Sequence, residues 1–225
     1  MEKKLENPVW FALQETHQQF SVSYNGVHFY DPLICPFGAF EHVRYTENAI
    51  NKYALLTDAF FLVSEGKTPL YNSEFVTLVK KMEGCQMVLE HLKEIDITED
   101  IVLLTEDHVT EIYELIWLVM PGYYRLRTFD MGNYYGIFKN NKLVSISGQR
   151  MQTNDFIEVS AVVTHPEHTK KGYAKQLTFH NTKEILALKK TPILHTNKGN
   201  PAIQLYETLG YKHTRDMNWW LFHRN

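Results

Sequence analysis

The chain has 225 residues, 44% of them apolar and 22% charged, with a formal net charge of −3. That composition excludes disordered, collagen-like and low-complexity classes, and the length suffices for one large hydrophobic core or two small ones. No uninterrupted apolar run approaches the ~18–20 residues of a membrane-spanning helix, and two cysteines, Cys35 and Cys85, are too few for a disulfide framework.

The opening Met-Glu-Lys-Lys-Leu-Glu-Asn-Pro leads into no apolar stretch of the signal-peptide kind, so a cytoplasmic protein with no membrane partner is expected. The net charge conceals a division. Residues 1–120 carry 8 Lys and Arg against 19 Asp and Glu, a balance of −11, whereas residues 121–225 carry 15 against 7, a balance of +8. A basic half suits a phosphate-bearing ligand or nucleic acid. The basic residues are interspersed with fold-forming segments and accompany no nucleic-acid motif, so no nucleic-acid partner is expected.

Asn7-Pro8 predicts a helix start, with Asn as cap and Pro in the first turn, and Leu13, His17 and Phe20 continue at helical spacing. Phe20, Val22 and Tyr24 then alternate, Asn25-Gly26 supplies a tight turn, and Val27 and Phe29 resume the alternation of a hairpin. A short helix is expected over 46–54, and strands over 59–63, 75–79 and 86–89. Apolar residues thin out across the acidic stretch 94–100, which places a domain boundary there. Thr105 can cap a helix whose apolar positions Val109, Ile112, Tyr113 and Ile116 follow a 3.6-residue period, and Pro121-Gly122 stops it. Strands follow over 134–139, 143–149 and 156–164, then a helix from Ala174 and a short strand over 192–195. A second helix opens at Asn200-Pro201 and closes at Gly210, and strands over 211–213 and 219–223 finish the chain.

Two places carry chemistry. The first is the loop between the strand ending at Val163-Thr164 and the helix that follows. Lys170 and Lys171 bring positive charge, Gly172 lets a backbone come close to a phosphate, and the unpaired N–H groups of the helix start favour an anion. Neither a Walker loop nor a GxGxxG fingerprint is present, which disfavours a nucleoside triphosphatase or a dinucleotide enzyme. The second is Tyr206, six residues beyond Asn200, a phenol that can donate a proton. Glu158, mid-strand before the loop, can take a proton or serve as a structural carboxylate. His165 and His168 flank Pro166 off any helix and read as loop histidines, so no metal is expected. Cys35 and Cys85 read as buried fillers.

Residues 156–174, Phe-Ile-Glu-Val-Ser-Ala-Val-Val-Thr-His-Pro-Glu-His-Thr-Lys-Lys-Gly-Tyr-Ala, resemble the acyl-CoA motif of the GNAT N-acetyltransferase superfamily, in which a strand ending Val-x-Thr-x-Pro precedes [Q/R]-x-x-G-x-[G/A]. Gly172 and Ala174 match, while Thr169 stands in the [Q/R] place. The family's contacts there are largely main-chain, so weakened binding is expected rather than none. Residues 197–211 resemble the second motif, N-x-x-A-x-x-x-Y-x-x-x-G-[F/Y], with Asn200, Tyr206 and Gly210-Tyr211 in place and Ala202 or Ile203 at the small position. The stretch from Pro121-Gly122 to Ile137 is similar to a subgroup with a longer amino-terminal half.

The resemblance covers about residues 104–225. It implies an α/β (α+β) fold with a central mixed sheet flanked by helices, residues 101–225 forming the acetyltransferase domain. Residues 1–100 would be an α/β half, either a degenerate second copy or an extension walling the acceptor cleft. The co-substrate would be acetyl-CoA, without a metal, and the acceptor an amine, in a monomer or homodimer. Ala161, Val162, Val163 and Thr164 would pair with the pantetheine arm. Thr169, Lys170, Lys171, Gly172, Tyr173 and Ala174 would cradle the pyrophosphate. Asn200 and Tyr206 would contribute to cofactor binding, with Tyr206 near the sulfur as general acid and Glu158 as candidate base. The rival is a catalytically idle acyl-CoA-binding sensor or interaction module.

Overall fold

The computed structural model describes residues 1–66 and 68–225. Helices α1 (Glu2–Glu6) and α2 (Pro8–Gln14) precede the hairpin β1 (Ser21–Tyr24) and β2 (Val27–Tyr30), then β3 (Phe37–Phe40), α3 (Thr46–Tyr53), β4 (Ala59–Ser64) and β5 (Val76–Leu89). The carboxy-terminal half runs β6 (Val102–Leu103), α4 (Val109–Val119), β7 (Tyr134–Lys139), β8 (Lys142–Gln152), β9 (Phe156–Thr164), α5 (Tyr173–Ala187), β10 (Thr191–Asn197), α6 (Ala202–Leu209) and β11 (Tyr211–Arg224). Among the described residues all strands join one sheet of eleven, in the order β1-β2-β3-β4-β11-β5-β10-β9-β8-β7-β6. The pairs β3/β4 and β9/β10 are parallel and the rest antiparallel, so the sheet is mixed.

Several elements differ from the sequence reading: α1, β3 and β6 lie where it placed no element. β5 and β11 are single strands of 14 residues, where the apolar pattern predicts two short strands each. Their polar middles, Lys80 to Glu83 and Lys212 to Asp216, lie on a largely exposed stretch of ladder. There, backbone pairing continues without an apolar side-chain signal, broken by a register shift between His213 and Arg215. The first long helix stops at Gln14, so His17 sits in a turn. Asn7 does not cap α2; its amide donates to the Phe40 carbonyl at 2.9 Å and ties the helix to β3.

The sheet is covered on both faces. Tyr134 of β7 packs with Ile112 and Ile116 of α4, while its neighbour Tyr135 packs with Tyr173 and Leu177 of α5. Successive strand residues point to opposite faces, so α4 and α5 cover opposite sides. Each such side chain, fully buried, contributes about 1.5–3 kcal/mol. A separate cluster joins the two halves of the chain: Val9, Tyr30, Phe37 and Phe61 pack against Met131, Met151, Met217 and Trp219.

His17 belongs to that junction. One ring nitrogen lies 2.9 Å from the Tyr30 hydroxyl and the other 3.2 Å from the Met131 carbonyl. Burial lowers its pKa from the usual 6.5 to about 4, against the raising effect of the Met131 carbonyl. A depressed folded-state pKa means that stability present above pH 6.5 is lost as pH falls towards 4, by about 3 kcal/mol in all. His17→Gln, which cannot titrate, should therefore flatten the fall of Tm between pH 6.5 and 4.5. An unchanged acid limb in that window, followed by calorimetry, would assign it to other groups.

Candidate active site

β9 and β10 pair in parallel from Phe156/Thr191 to Val159/Leu194 and then separate. Beyond that point β10 continues against β5 through Asn197, and β9 continues against β8. The edge of β9 that faces β10 is thus left open from Ser160 onward. Ala161 sits at the opening with φ 49, in the left-handed region that costs a residue with a Cβ, and the β8/β9 register shifts there. A cavity of about 180 Å³ lies in the gap, lined among others by Ser160, Ala161, Val162, Thr196, Asn197, Asn200 and Tyr206.

The loop after β9 has the expected shape. A 3-10 turn, Pro166–His168, leads through Lys170 (φ 60) to Gly172 (φ 79), which stands at the N-cap of α5 with no side-chain cap. Among the described residues, none of the N–H groups of 169–173 donates to a backbone carbonyl. A Cβ at Gly172 would meet only the Gln176 side chain, at 3.8 Å, so the approach to this end of a 15-residue helix is open. Thr169 gives its hydroxyl to the Pro166 carbonyl and closes the turn internally. Tyr173 is buried between α5 and the sheet, so its side chain belongs to the core and only its backbone faces the loop. Val163 likewise packs under α4, and the Thr164 hydroxyl lies 2.7 Å from that of Ser145. Ala174 lies half-buried in the first turn of α5.

Asn200 holds the opposite wall. Its amide nitrogen donates to the Thr196 hydroxyl at 2.8 Å, and its oxygen accepts from the Ala202 N–H at 2.9 Å. It therefore ties the end of β10 to the start of α6, where an unpaired N–H would otherwise remain. Tyr206, one turn on, is 7% exposed and lines the cavity, and burial pushes its pKa up to about 12. Gly210, at φ 100, ends α6 as its sequence position predicts.

Glu158 is not arranged as a base. It is fully buried; Arg150 clamps both its oxygens (Nε to Oε2 2.8 Å, Nη2 to Oε1 2.7 Å), and the His195 ring adds a contact at 2.8 Å. Burial by itself would raise its pKa, but the Arg150 charge and these hydrogen bonds outweigh that and hold it at about 2. A carboxylate so weakly basic, with its lone pairs engaged, is a poor proton acceptor. Its geometry fits the structural reading instead: it fixes Arg150 and His195, and these two do line the cavity.

Arg150 and His195 escaped the sequence reading, as did the lining residues Phe37, Tyr124 and Trp219, while Cys35, read as a buried filler, is buried and also lines the cavity. A signal for the first was present. Arg150 and Glu158 are opposite charges on two neighbouring strands joined by a short turn. The register shift between Gln149 and Gln152 sets Arg150 and Met151 together against Glu158. Cys35 and Phe37 come from the amino-terminal half and reach the cavity only through the long β5/β11 ladder, which no local pattern foretells. Cys35 and Cys85 are both free and buried. Burial pushes the Cys35 thiol up to about 12, so it is no thiolate nucleophile at neutral pH.

The FR47-like protein family matches residues 134–221. Among solved structures, a Novosphingobium aromaticivorans protein assigned to the GNAT family of acetyltransferases superimposes with a TM-score of 0.87 and 27% identity, covering 98% of each chain. A GCN5-related N-acetyltransferase from Kribbella flavida gives a TM-score of 0.64 at 12% identity, covering 99% of this chain and 94% of that one. A GCN5-related N-acetyltransferase-like protein from Streptococcus suis gives 0.63 at 13%, covering 100% and 97%; these last two likenesses speak to the fold. No curated protein matches the sequence. The two motifs, the parting of β9 from β10 and the full-length likeness agree: the chain has the fold of GNAT acetyltransferases and is similar to a protein of that family along its whole length.

Proposed function

We propose that this protein transfers the acetyl group of acetyl-CoA to a primary amine by direct attack. The parting of β9 and β10 at a bulged Ala161, with a cavity in the gap, carries the reading. The open backbone edge of 160–164 would pair with the pantetheine amides as an added strand would. The N–H groups of 169–173, with Lys170 and Lys171, would receive the pyrophosphate at the start of α5. The amine nitrogen attacks the thioester carbonyl carbon, the carbon–sulfur bond breaks, and the sulfur takes a proton from Tyr206. The nitrogen gives up a proton to solvent in the open cavity, and Tyr206 is then reprotonated. Cys35, the cavity's thiol, stays protonated, which favours direct transfer over a cysteine-bound intermediate. The amino-terminal half, through Cys35 and Phe37, walls the acceptor side of the cavity.

The test begins at the loop. Gly172→Asp places a carboxylate where the pyrophosphate is to sit, and Gly172→Asn places a neutral side chain of the same shape. Asn tolerates φ near +80 better than most residues, and the surrounding space is open, so both variants should fold. Calorimetry should show CoA affinity reduced more than tenfold in Gly172→Asp and much less in Gly172→Asn. Equal affinity in all three proteins would remove the loop from the binding site. Release of free CoA with a panel of amines then separates an enzyme from a sensor, since a sensor binds CoA and turns nothing over.

A further inference from the structure

Arg150 is a half-buried side chain whose guanidinium has one edge unused. Its Nε and Nη2 are both given to Glu158, and Phe37 of the amino-terminal half covers its flat face, 4.8 Å from the ring centre. Among the described residues Nη1 donates to no protein atom. The side chain nevertheless keeps 17% of its surface exposed, and it lines the cavity. A guanidinium holds five N–H groups in a planar fork, and a bidentate carboxylate uses two of them. The remaining Nη1/Nη2 edge is a second fork, held in place by Glu158 and Phe37 on a side chain that lines the cavity.

Such an edge selects its partner. It can only donate, and a planar group with two acceptor oxygens satisfies it best. Left unmet in a desolvated site, it costs the complex free energy. The rest of that wall is largely aromatic, with Phe37, Tyr123, Tyr124 and Trp219, surfaces that accept an apolar body or an ammonium. Glu158, which Arg150 faces, precedes the bulge at Ala161 by three residues, roughly 10 Å of strand at about 3.3 Å per residue. A small molecule can therefore reach from the guanidinium to the parting of the strands.

We propose, on the acyl-transfer reading above, that the acceptor is an amine bearing a carboxylate, an amino acid in the broad sense. Its carboxylate sits on the free edge of Arg150, and its nitrogen lies at the parting of β9 and β10. A zwitterion adds no net charge to a site whose own ion pair is neutral. Arg150 is then the residue that determines specificity, and Glu158 positions it.

The experiment compares matched pairs that differ only in the carboxylate: phenylalanine with phenethylamine, and β-alanine with ethylamine. Each is titrated calorimetrically into the full-length protein saturated with CoA, and acetyl transfer to each is measured separately. In at least one pair the acid should bind at least tenfold more tightly. Arg150→Lys, which keeps a charge beside Glu158 but lacks the second fork, should erase that preference. Equal, weaker or undetectable binding of the acid in both pairs overturns the proposal on the wild-type protein alone, even should Arg150→Lys fail to fold. Acids that bind preferentially but are never acetylated would sink the acyl-transfer reading and leave the carboxylate site standing. Acetylation of the decarboxylated amines, with no preference for the acids, would do the reverse.

Discussion

Tyr206→Phe should lower kcat by roughly 10²–10⁴-fold, the usual contribution of a positioned general acid, while KM for acetyl-CoA stays within a few-fold. The substitution removes one hydroxyl and keeps the ring that packs with Met87, Val159, Leu194 and Tyr211, so the fold should be unaffected. The hydroxyl makes no hydrogen bond among the described residues, and it lies at the cavity where a departing sulfur would sit. A thiol has an unperturbed pKa near ~8.5. A phenol pushed up to about 12 is a weaker acid, and it helps only by hydrogen-bonding the sulfur as charge develops. It also stays protonated across every practical assay pH, so Tyr206 should contribute no limb to the pH–rate profile. An acyl-CoA analogue with a more acidic thiol should restore much of the lost rate in Tyr206→Phe, since a better leaving group needs less help. A variant with intact kcat would exclude Tyr206 from the rate-limiting step.

Glu158→Gln should destabilise the protein by about 3–5 kcal/mol, because it breaks an ion pair whose carboxylate is fully buried and leaves the half-buried Arg150 charge without its partner. At this chain length that corresponds to a fall in Tm on the order of 6–20 °C. The pH dependence has a definite sign. The Glu158 pKa is lowered to about 2 in the fold, so the stability it confers is present above about pH 4.5 and is lost as pH falls from there towards 2. Glu158→Gln should lack that acid limb, and the window is separate from that of His17. A group ionised throughout the assay range also adds no limb to kcat near neutrality. A change in the pH–rate profile of Glu158→Gln around pH 6–9 would contradict the positioning role and restore the candidate base. Pairing Glu158→Gln with Arg150→Met, which removes the orphaned charge, should recover part of the lost stability.

Much of the carboxy-terminal half was legible because its signals are local. The strand Phe156–Thr164 shows its β-branched residues, the loop shows Gly172 at a helix start, and Asn200-Pro201 and Gly210 mark the ends of α6. Each follows from backbone chemistry within a few residues, and so the motifs could be placed before any contact was known. The amino-terminal half offered its hairpin at Asn25-Gly26 for the same reason.

What stayed hidden depends on partners far away in the chain. The sequence by itself determined the elements around the loop, the resemblance and the motif residues. The tertiary structure decided that β5 and β11 are each continuous, because backbone pairing carries a strand through an exposed polar stretch that has no apolar period. It decided the surroundings of Glu158, a carboxylate fully buried against a guanidinium, because burial is a property of the whole packing. It also decided that Phe37 and Cys35 meet Arg150, His195 and Tyr206 around one cavity, since contacts between residues more than a hundred positions apart are set by how the sheet closes and leave no trace in local spacing.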